Sequence, residues 1–216
     1  MALDRQIVVR TALRVLDEVG LEGLTLRRIA AELNVRAPAL YWHFKNKQEL
    51  LDDMATTLLV DALNKFGVPA TATWVELAEA YGRGLRAMLL SHRDGARMFS
   101  GTFLTDDTAY GSMERAIRTL TDAGFAARDA VRGLNTIYCF TIGFTIEEQA
   151  VYPKPGERSE QYDPTARAER VDDPERLPLV RATGDEVLGN FDERFEHGLQ
   201  LIISGLGQSL PGRAGP

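Results

Sequence analysis

The stretch of sequence that decides the fold lies near the N-terminus, where residues 25–47 read TLRRIAAELNVRAPALYWHFKNK. Its first part predicts a short helix over 26–33, because Thr25 can accept backbone N–H groups as an N-cap and the apolar side chains that follow share one face. Asn34 and Val35 then make a turn. A second helix over 37–43 carries Pro38 near its start, where the fixed φ of proline suits a helix. Two short helices joined by a tight turn predict a helix-turn-helix.

Apolar residues recur at helical spacing through the rest of the chain, and no stretch alternates between apolar and polar residues as a half-buried strand does. The predicted fold class is therefore all-α, with an N-terminal three-helix helix-turn-helix domain and a larger C-terminal helical domain for ligand binding and dimerisation. Helices are predicted over about 5–20, 26–33, 37–43, 46–66, 74–91, 108–123, 127–152 and 184–208. Residues 153–174, rich in Pro, Gly and charge, form either a mobile loop or an ordered flap over a site.

Capping pairs predict where three of these helices begin. A side chain at the first position and a Glu three residues later can each accept a backbone N–H group that the helix leaves free. The pairs are Asn46 with Glu49, Thr73 with Glu76, and Thr183 with Glu186.

Charge is unevenly distributed along the chain. The 216 residues have a formal net charge of −6, whereas residues 1–47 hold eight Lys/Arg against five Asp/Glu and so carry +3. We therefore divide the chain into a helix-turn-helix domain, residues 1–47, and an effector-binding and dimerisation domain, residues 48–216. A small basic domain on an acidic body is typical of a protein that contacts nucleic-acid phosphates with one end only.

Composition and motifs exclude several classes of protein. The apolar runs are far shorter than the roughly 20 residues of a membrane span, and no signal-peptide pattern opens the chain, so we expect a cytoplasmic protein without membrane contact. Cys139, the single cysteine, permits no internal disulfide, and we interpret it as a small core residue. We find no nucleophile elbow, phosphate loop or motif with paired carboxylates, so we expect no enzyme activity, no cofactor and no metal site.

The 25–47 run closely resembles the DNA-binding domain of the TetR family of transcriptional regulators. The resemblance implies that the helix over 37–43 enters the major groove of operator DNA. It implies base-edge contacts for Arg36, Ala37 and Pro38, and backbone contacts for Tyr41, Trp42, His43 and Lys47. Arg27 and Arg28 can reach the flanking phosphates.

Alternatives stay open within this run. Arg36 either reads a guanine through its bidentate fork or is a phosphate-binding or surface arginine. Three consecutive aromatic residues, Tyr41 to His43, cannot all face inward on a helix, so at least one must be exposed. Ile29, Leu40 and Phe44 are interpreted as core residues.

The resemblance extends over nearly the whole chain, to the tetracycline-repressor-like class of the family. It is carried by LSHRDGAR at 90–97, TDAGF at 121–125 and FTIGFTIEEQ at 140–149. It implies a homodimer formed by a four-helix bundle of the 127–152 helix and the last helix of each subunit. The last helix supports this with one apolar stripe, although an ordinary core helix would show the same pattern. The stripe consists of Val187, Phe191, Phe195, Leu199, Ile202 and Leu206.

The likeness is weakest at the ligand site. In the class, a histidine holds a magnesium ion bound by tetracycline, and that position is Phe99 here, which cannot ligate a metal. The drug-binding asparagine, the aromatic clamp and a glutamine correspond to Tyr81, Leu85 and Ala116, while Thr102 and Glu147 match. We therefore do not expect recognition of a metal–tetracycline complex.

The residues present instead predict an apolar pocket with a few polar groups, which suits a flat or multi-ring hydrophobic inducer such as an aromatic natural product. Any one of its candidate lining residues could instead fill the core. They are Tyr81, Leu85, Phe99, Thr102, Phe103, Met113, Ile117, Leu134, Asn135, Tyr138 and Glu147.

Together these features predict a dimeric, sequence-specific repressor that a small-molecule inducer releases from a palindromic operator. Two recognition helices must lie about 34 to 36 Å apart to read both half-sites, so an inducer that favours a wider spacing releases the DNA by population shift. The alternative is a helix-turn-helix regulator whose C-terminal domain only dimerises or binds a protein partner.

Overall fold

The structure, a computed structural model, describes residues 3–65, 69, 71–154, 156–163, 176–184, 186 and 189–210. Within these ranges the chain is helical, and the one β-type pairing is an isolated bridge between Lys154 and Glu157, so the all-α fold class is confirmed. The α-helices are α1 (Arg5–Gly23), α2 (Leu26–Glu32), α3 (Lys47–Lys65), α4 (Trp74–Leu90), α5 (Gly95–Phe99), α6 (Thr108–Asp122), α7 (Ala127–Val151), α8 (Pro178–Ala182) and α9 (Phe191–Gln208). Two 3₁₀ helices span Ala37–Trp42 and Glu160–Tyr162.

The predicted caps mostly form. Thr25 accepts the N–H of Arg28 at the start of α2, and Thr73 and Glu76 form a complete capping box on α4. At α3 the cap is only half as predicted. Asn46 accepts the N–H of Glu49 at 2.9 Å, but the Glu49 carboxylate takes the N–H of Lys45 rather than that of Asn46.

The second helix of the helix-turn-helix is 3₁₀ rather than α. Its hydrogen bonds reach three residues back, from Ala39 N–H to Arg36 O and from His43 N–H to Leu40 O, both at 2.9 Å. The segment has only six residues and Arg36 provides no side-chain cap, and short helical segments of this kind often adopt 3₁₀ geometry. The turn before it is as predicted, with Asn34 in the left-handed region at φ 53°.

The predicted start of the last helix is wrong. Thr183 follows the last residue of α8, and residues 184 and 186 are helical again, but α9 begins only at Phe191, after Asn190, which has φ 50°. A residue in the left-handed region cannot continue an α-helix. The prediction followed the apolar periodicity, which runs back past Asn190, and so missed this break in the backbone. Val187, the first residue of the predicted stripe, lies outside the described residues, as do residues 164–175 of the predicted loop or flap.

One buried core links the helix-turn-helix to the helices that follow it. Leu40 and Phe44 belong to the same apolar cluster as Leu85, Leu89 and Phe99 of α4 and α5. A second cluster lies between α4, α7 and α9, with Ile137, Phe195 and Leu199 at its centre. The division of the chain after residue 47 therefore runs through continuous packing, and it stays a prediction.

Two further observations concern the surface. None of the described helices is long and apolar enough to cross a membrane. Cys139 is exposed on α7, so its interpretation as a core residue is wrong. A lone cysteine carries no periodicity from which its orientation could be deduced, and the buried face of α7 is set by its contacts with α4 and α9.

Candidate functional site

The helix-turn-helix presents an aromatic and basic face to solvent. Tyr41 is 57% exposed and Trp42 is 90% exposed, whereas Ile29, Leu40 and Phe44 are fully buried. The predicted core residues are therefore confirmed. Large aromatic side chains at such exposure are unusual for a free surface and are typical of a surface that binds a partner.

The other predicted DNA contacts surround these aromatic residues. Arg27, Arg28, Arg36 and Pro38 are exposed, and Ala37, His43 and Lys47 are half-buried. Arg27 and Arg36 form no ion pair with any residue in the described part of the chain, whereas Arg28 lies 3.4 Å from a Glu18 carboxylate oxygen. Arg27, Arg36, Tyr41 and Trp42 are thus the side chains of this set most available to a ligand as large as DNA.

Lys47 also has a structural role that its sequence position did not reveal. Its Nζ donates a hydrogen bond to the carbonyl oxygen of Leu21 at 2.9 Å. The ammonium group therefore stabilises a carbonyl near the end of α1 and ties α1 to the start of α3. Any phosphate contact by Lys47 would have to share or replace that bond.

Arg5 fixes the end of the 3₁₀ helix against α1 and α3. Its guanidinium lies 4.4 Å from the centre of the Phe44 ring and donates to the carbonyl oxygen of His43. It also pairs with Glu49 and Asp53 on α3. One half-exposed arginine thus holds α1, the 3₁₀ helix and α3 together.

A polar seam joins α1 to the turn between α4 and α5. Asp17 accepts the backbone N–H of Arg93 at 3.0 Å and lies 2.9 Å from His92 Nδ1. Four residues on, the Leu21 N–H donates to the Asp94 carboxylate at 2.8 Å. We call Asp17, Leu21, His92, Arg93 and Asp94 the α1–α5 seam. It is a direct polar contact between α1 and the turn that joins α4 to α5.

At the seam, one position of α1 favours glycine because of its backbone conformation and the side chains of the neighbouring turn. Gly20 has φ 72°, and a Cβ atom there would lie 2.8 Å from Asp94 Oδ2. The kink at Gly20 turns the last residues of α1 so that the Leu21 N–H faces Asp94 instead of completing the helix.

Gln149 connects α7 to the same turn from the other side. Its side-chain oxygen accepts the Ala96 N–H at 3.0 Å, and its nitrogen donates to the carbonyl oxygens of Leu89 at 3.2 Å and His92 at 2.8 Å. One buried amide therefore satisfies backbone groups at the end of α4 and the start of α5. At Gly95, between them, a Cβ atom would lie 2.1 Å from Leu89 O, so no other residue fits without moving this turn.

The candidate ligand residues fall into three groups by exposure. Leu85 and Phe99 are buried, and Tyr81, Thr102, Ile117, Leu134 and Tyr138 are half-buried. Phe103 is 78% exposed and Met113 is 52% exposed, and Asn135 and Glu147 are exposed on α7. The first two groups can line one interior, whereas the third lies at its edge or outside it.

Glu147 lies on the far side of α7 from Leu134 and Tyr138. At 3.6 residues per turn, it is rotated by more than 90° from either of them. It can therefore contribute to a site that contains them only if a second subunit completes that site.

Tyr81 is the candidate whose chemistry is most altered by its surroundings. Burial, and then the nearby Tyr138 and Cys139, raise the pKa of Tyr81 to about 12. The phenol therefore stays protonated over the physiological range and can donate a hydrogen bond to a ligand.

Arg86 is a charged residue beside the second core cluster. Its guanidinium forms two hydrogen bonds with the Glu148 carboxylate, at 2.8 and 2.6 Å, and a further ion pair with Asp192 at 2.7 Å. It also lies 5.0 Å from the centre of the Phe195 ring. This cluster joins α4, α7 and α9, the helices predicted to support the ligand site and the dimer.

The residues present do not fit a metal held in the manner of the tetracycline-repressor-like class. Phe99 occupies the position of the histidine ligand, and its side chain is buried in the core. Among the described residues no three His, Cys, Asp or Glu side chains lie close enough together to hold an ion. We therefore derive no step through a metal.

Sequence reasoning missed the residues that couple these regions. Asp17, His92, Asp94 and Gln149 gave no periodic signal, and His92 is half-buried at the seam. The run LSHRDGAR, with the charged residues Arg93, Asp94 and Arg97 around a glycine, was the available sign that this turn makes specific contacts.

Comparisons with known proteins agree on one family. The family model described as bacterial regulatory proteins, tetR family, matches residues 8–54, and the model described as tetracyclin repressor-like, C-terminal domain, matches residues 67–210. The class C tetracycline repressor protein of Escherichia coli is 41% identical over 207 residues, covering 94% of this chain and 90% of that protein.

Two solved structures are also similar. A possible TetR family transcriptional regulator of Streptomyces coelicolor A3(2) is 38% identical with a TM-score of 0.82, covering 94% of this chain and 98% of its own. ActR of Streptomyces coelicolor, solved in complex with actinorhodin, is 27% identical with a TM-score of 0.79, covering 100% of both chains.

Proposed function

Since this chain belongs to the TetR family of bacterial regulatory proteins, and is thus a DNA-binding transcriptional regulator, we propose that it is a homodimeric repressor released from a palindromic operator by a multi-ring, largely apolar inducer. The observation that carries the proposal is the shared core. Leu85 and Phe99, which are candidate ligand contacts, pack in the same buried cluster as Leu40 and Phe44, whose helix presents the exposed aromatic face.

The DNA-binding step uses the exposed face of the helix-turn-helix. Arg36 lies just before the 3₁₀ helix, where its guanidinium can form two hydrogen bonds to a guanine edge or one ion pair to a phosphate. Tyr41 and Trp42 supply contacts to the DNA backbone on either side. The +3 charge of residues 1–47 adds a salt-dependent attraction to phosphates.

Release of the operator DNA by the inducer involves the α1–α5 seam. A ligand that enters beside Leu85 and Phe99 must move α4 or α5, because a close-packed core cannot accept extra atoms in place. α4 ends and α5 begins at the turn that Gln149 and the α1–α5 seam hold in place. Movement of that turn shifts α1 and changes the spacing of the two recognition helices, and by linkage operator DNA weakens inducer binding equally.

The dimer is proposed to form through α7 and α9. Val131 on α7 and Leu201 on α9 are exposed apolar residues that a four-helix bundle with a second subunit would cover. In this arrangement, Glu147 of one subunit can reach the ligand site of the other subunit. We further propose that residues 1–47 and 48–216 act as the two functional domains, in the cytoplasm.

Operator binding is tested first, by electrophoretic mobility shift on the DNA upstream of the protein's own gene over a range of salt concentrations. Tyr41→Ala and Arg36→Ala should each weaken specific binding about tenfold, since each removes a contact to DNA and little internal packing. We prefer them to a Lys47 variant, which would also break the bond to Leu21.

Arg118→Ala is the matched control, because Arg118 is an exposed arginine on α6 whose ion-pair partner is its helical neighbour Glu114. Its affinity for the operator should equal that of the unchanged protein. Equally weak binding of all four proteins to operator and unrelated DNA would refute specific recognition.

The names of the relatives favour tetracycline as a second candidate inducer. We expect tetracycline with Mg²⁺ to leave the operator complex intact, because the position of the metal-binding histidine is the buried Phe99. The measurement is the same mobility shift with tetracycline, with and without EDTA. Release of DNA by tetracycline that EDTA abolishes would contradict the prediction and assign the drug as inducer.

A further inference from the structure

Two threonine hydroxyls on α7 are buried without a partner. Thr141 and Thr145 are both 0% exposed, and neither Oγ1 has a hydrogen-bond partner among the residues that the structure describes. Helical threonines ordinarily donate to the carbonyl oxygen four residues back, as Thr136 does at 2.9 Å and Thr56 at 2.8 Å. Buried polar groups are nearly always satisfied, so this pair needs an explanation.

The two hydroxyls share one face of α7 with two proposed ligand contacts. With 3.6 residues per turn, Leu134, Tyr138, Thr141 and Thr145 fall within an arc of roughly 60°. Leu134 and Tyr138 are the α7 residues proposed to line the ligand site. The threonines continue that line towards the C-terminal end of the helix.

The packing of α7 on α4 places the pair opposite further candidate residues. Gly82 lies against Ile137, and Gln149 bonds to the carbonyl oxygen of Leu89. Positions 141 and 145 therefore face the part of α4 between Gly82 and Leu89. Leu85, the buried candidate ligand contact, is in that part.

We propose that Thr141 and Thr145 are the polar end of the ligand site and bind oxygen substituents along one edge of a polycyclic aromatic ligand. The inference rests on the proposed function and narrows its ligand class to hydroxylated or keto-substituted fused rings. A threonine hydroxyl both donates and accepts, so it pairs with phenol and carbonyl oxygens alike. Two residues four apart on a helix, with Cβ atoms about 5–6 Å apart, match a row of such oxygens.

This binding mode also explains how the ligand acts. Both hydroxyls are closed off from solvent, so a ligand reaches them only by parting α7 from α4. That separation occurs beside Gln149, whose amide holds the end of α4 to the start of α5. Satisfying the two hydroxyls thus favours the conformation in which the seam is displaced.

The test compares isosteric substitutions with and without hydroxyl partners. Thr141→Val and Thr145→Val, singly and together, remove unpartnered hydroxyls, whereas Thr56→Val removes one that is buried and bonded to the Asp52 carbonyl. Without ligand, we expect the Tm of the first three variants to equal or exceed that of the unchanged protein and the Tm of Thr56→Val to fall. A fall in all four would show that the α7 hydroxyls have protein partners and would overturn the inference.

The ligand arm uses 1,8-dihydroxyanthraquinone and unsubstituted anthraquinone as probes, with Kd measured by fluorescence titration. The unchanged protein should bind the hydroxylated probe at least tenfold more tightly, and the double valine variant should lose that preference. Thr141→Ser with Thr145→Ser should retain it, which excludes misfolding as the cause. Equal Kd values for the two probes, or no binding of either, would overturn the inference.

Operator binding separates this inference from the proposed function. Every α7 variant should still shift the operator DNA, since the hydroxyls lie far from the exposed aromatic face. If the α7 variants and the unchanged protein all bind operator but show no preference between the probes, only the ligand assignment fails. If the unchanged protein does not bind operator, the proposed function itself fails.

Discussion

Replacement of Gln149 by leucine is expected to lower the free energy of unfolding by about 3 kcal/mol, because one buried N–H and two carbonyl groups lose their partner at once. Leucine is one atom shorter than glutamine and can neither donate nor accept. The backbone groups of Leu89, His92 and Ala96 would remain at the turn without hydrogen bonds. Chemical denaturation followed by circular dichroism measures the change.

Gln48→Leu is the control for this substitution. Gln48 is exposed on α3 and bonds to the side chain of Asp52 one turn on, so its loss should change stability by less than about 0.5 kcal/mol. A Gln149→Leu protein as stable as Gln48→Leu would show that the amide does not hold the turn. At temperatures where Gln149→Leu is folded, we also expect weaker operator binding, since the seam is then poorly positioned.

Replacement of Glu148 by alanine is expected to destabilise the protein by about 3 kcal/mol, because it leaves the partly buried Arg86 guanidinium without its bidentate partner. The side chains of Arg86 and Glu148 are only 13% and 11% exposed, so water cannot replace the carboxylate. Asp192 remains within reach of Arg86 and limits the loss. Urea titration monitored by tryptophan fluorescence would give the value.

The matched pair is Arg83 with Glu196, which also joins α4 to α9 but is exposed on both sides. Glu196→Ala should therefore lose less than about 1 kcal/mol. The double variant Arg86→Met with Glu148→Leu should recover most of the stability, since a buried ion pair can be replaced by apolar packing. Equal losses for Glu148→Ala and Glu196→Ala would contradict this account of the cluster.

Local signals in the sequence were sufficient to predict the helix-turn-helix. Thr25, Asn34 and Pro38 each constrain the backbone within three or four residues, and their effects agree with the apolar face that Leu40 and Phe44 define. Where a local signal conflicted with periodicity, as at Asn190, the periodicity misled, and the start of α9 was misplaced. The 3₁₀ geometry of Ala37–Trp42 was also missed, because α and 3₁₀ helices share their apolar spacing over so few residues.

The candidate ligand site was less predictable, for a physical reason. Which side of α7 is buried depends on α4 and α9. The sequence around Glu147 and Cys139 therefore did not indicate which way these two side chains face. Thr141 and Thr145 are short and polar, and composition alone assigns such residues to the surface. Gln149 makes its three bonds to residues more than 50 positions away, a distance over which no local pattern operates.

The α1–α5 seam has a consequence for how such a regulator diverges. Asp17, Leu21 and Asp94 belong neither to the face that presents Tyr41 nor to the interior lined by Leu85. Substitutions at well-separated sites combine additively, so a descendant can acquire a different target sequence, or respond to a different metabolite, without having to rebuild the joint between the two. Because of the seam, the face that presents Tyr41 and the interior lined by Leu85 can change independently in evolution. After a gene duplication, one of the two can diverge while selection preserves the other.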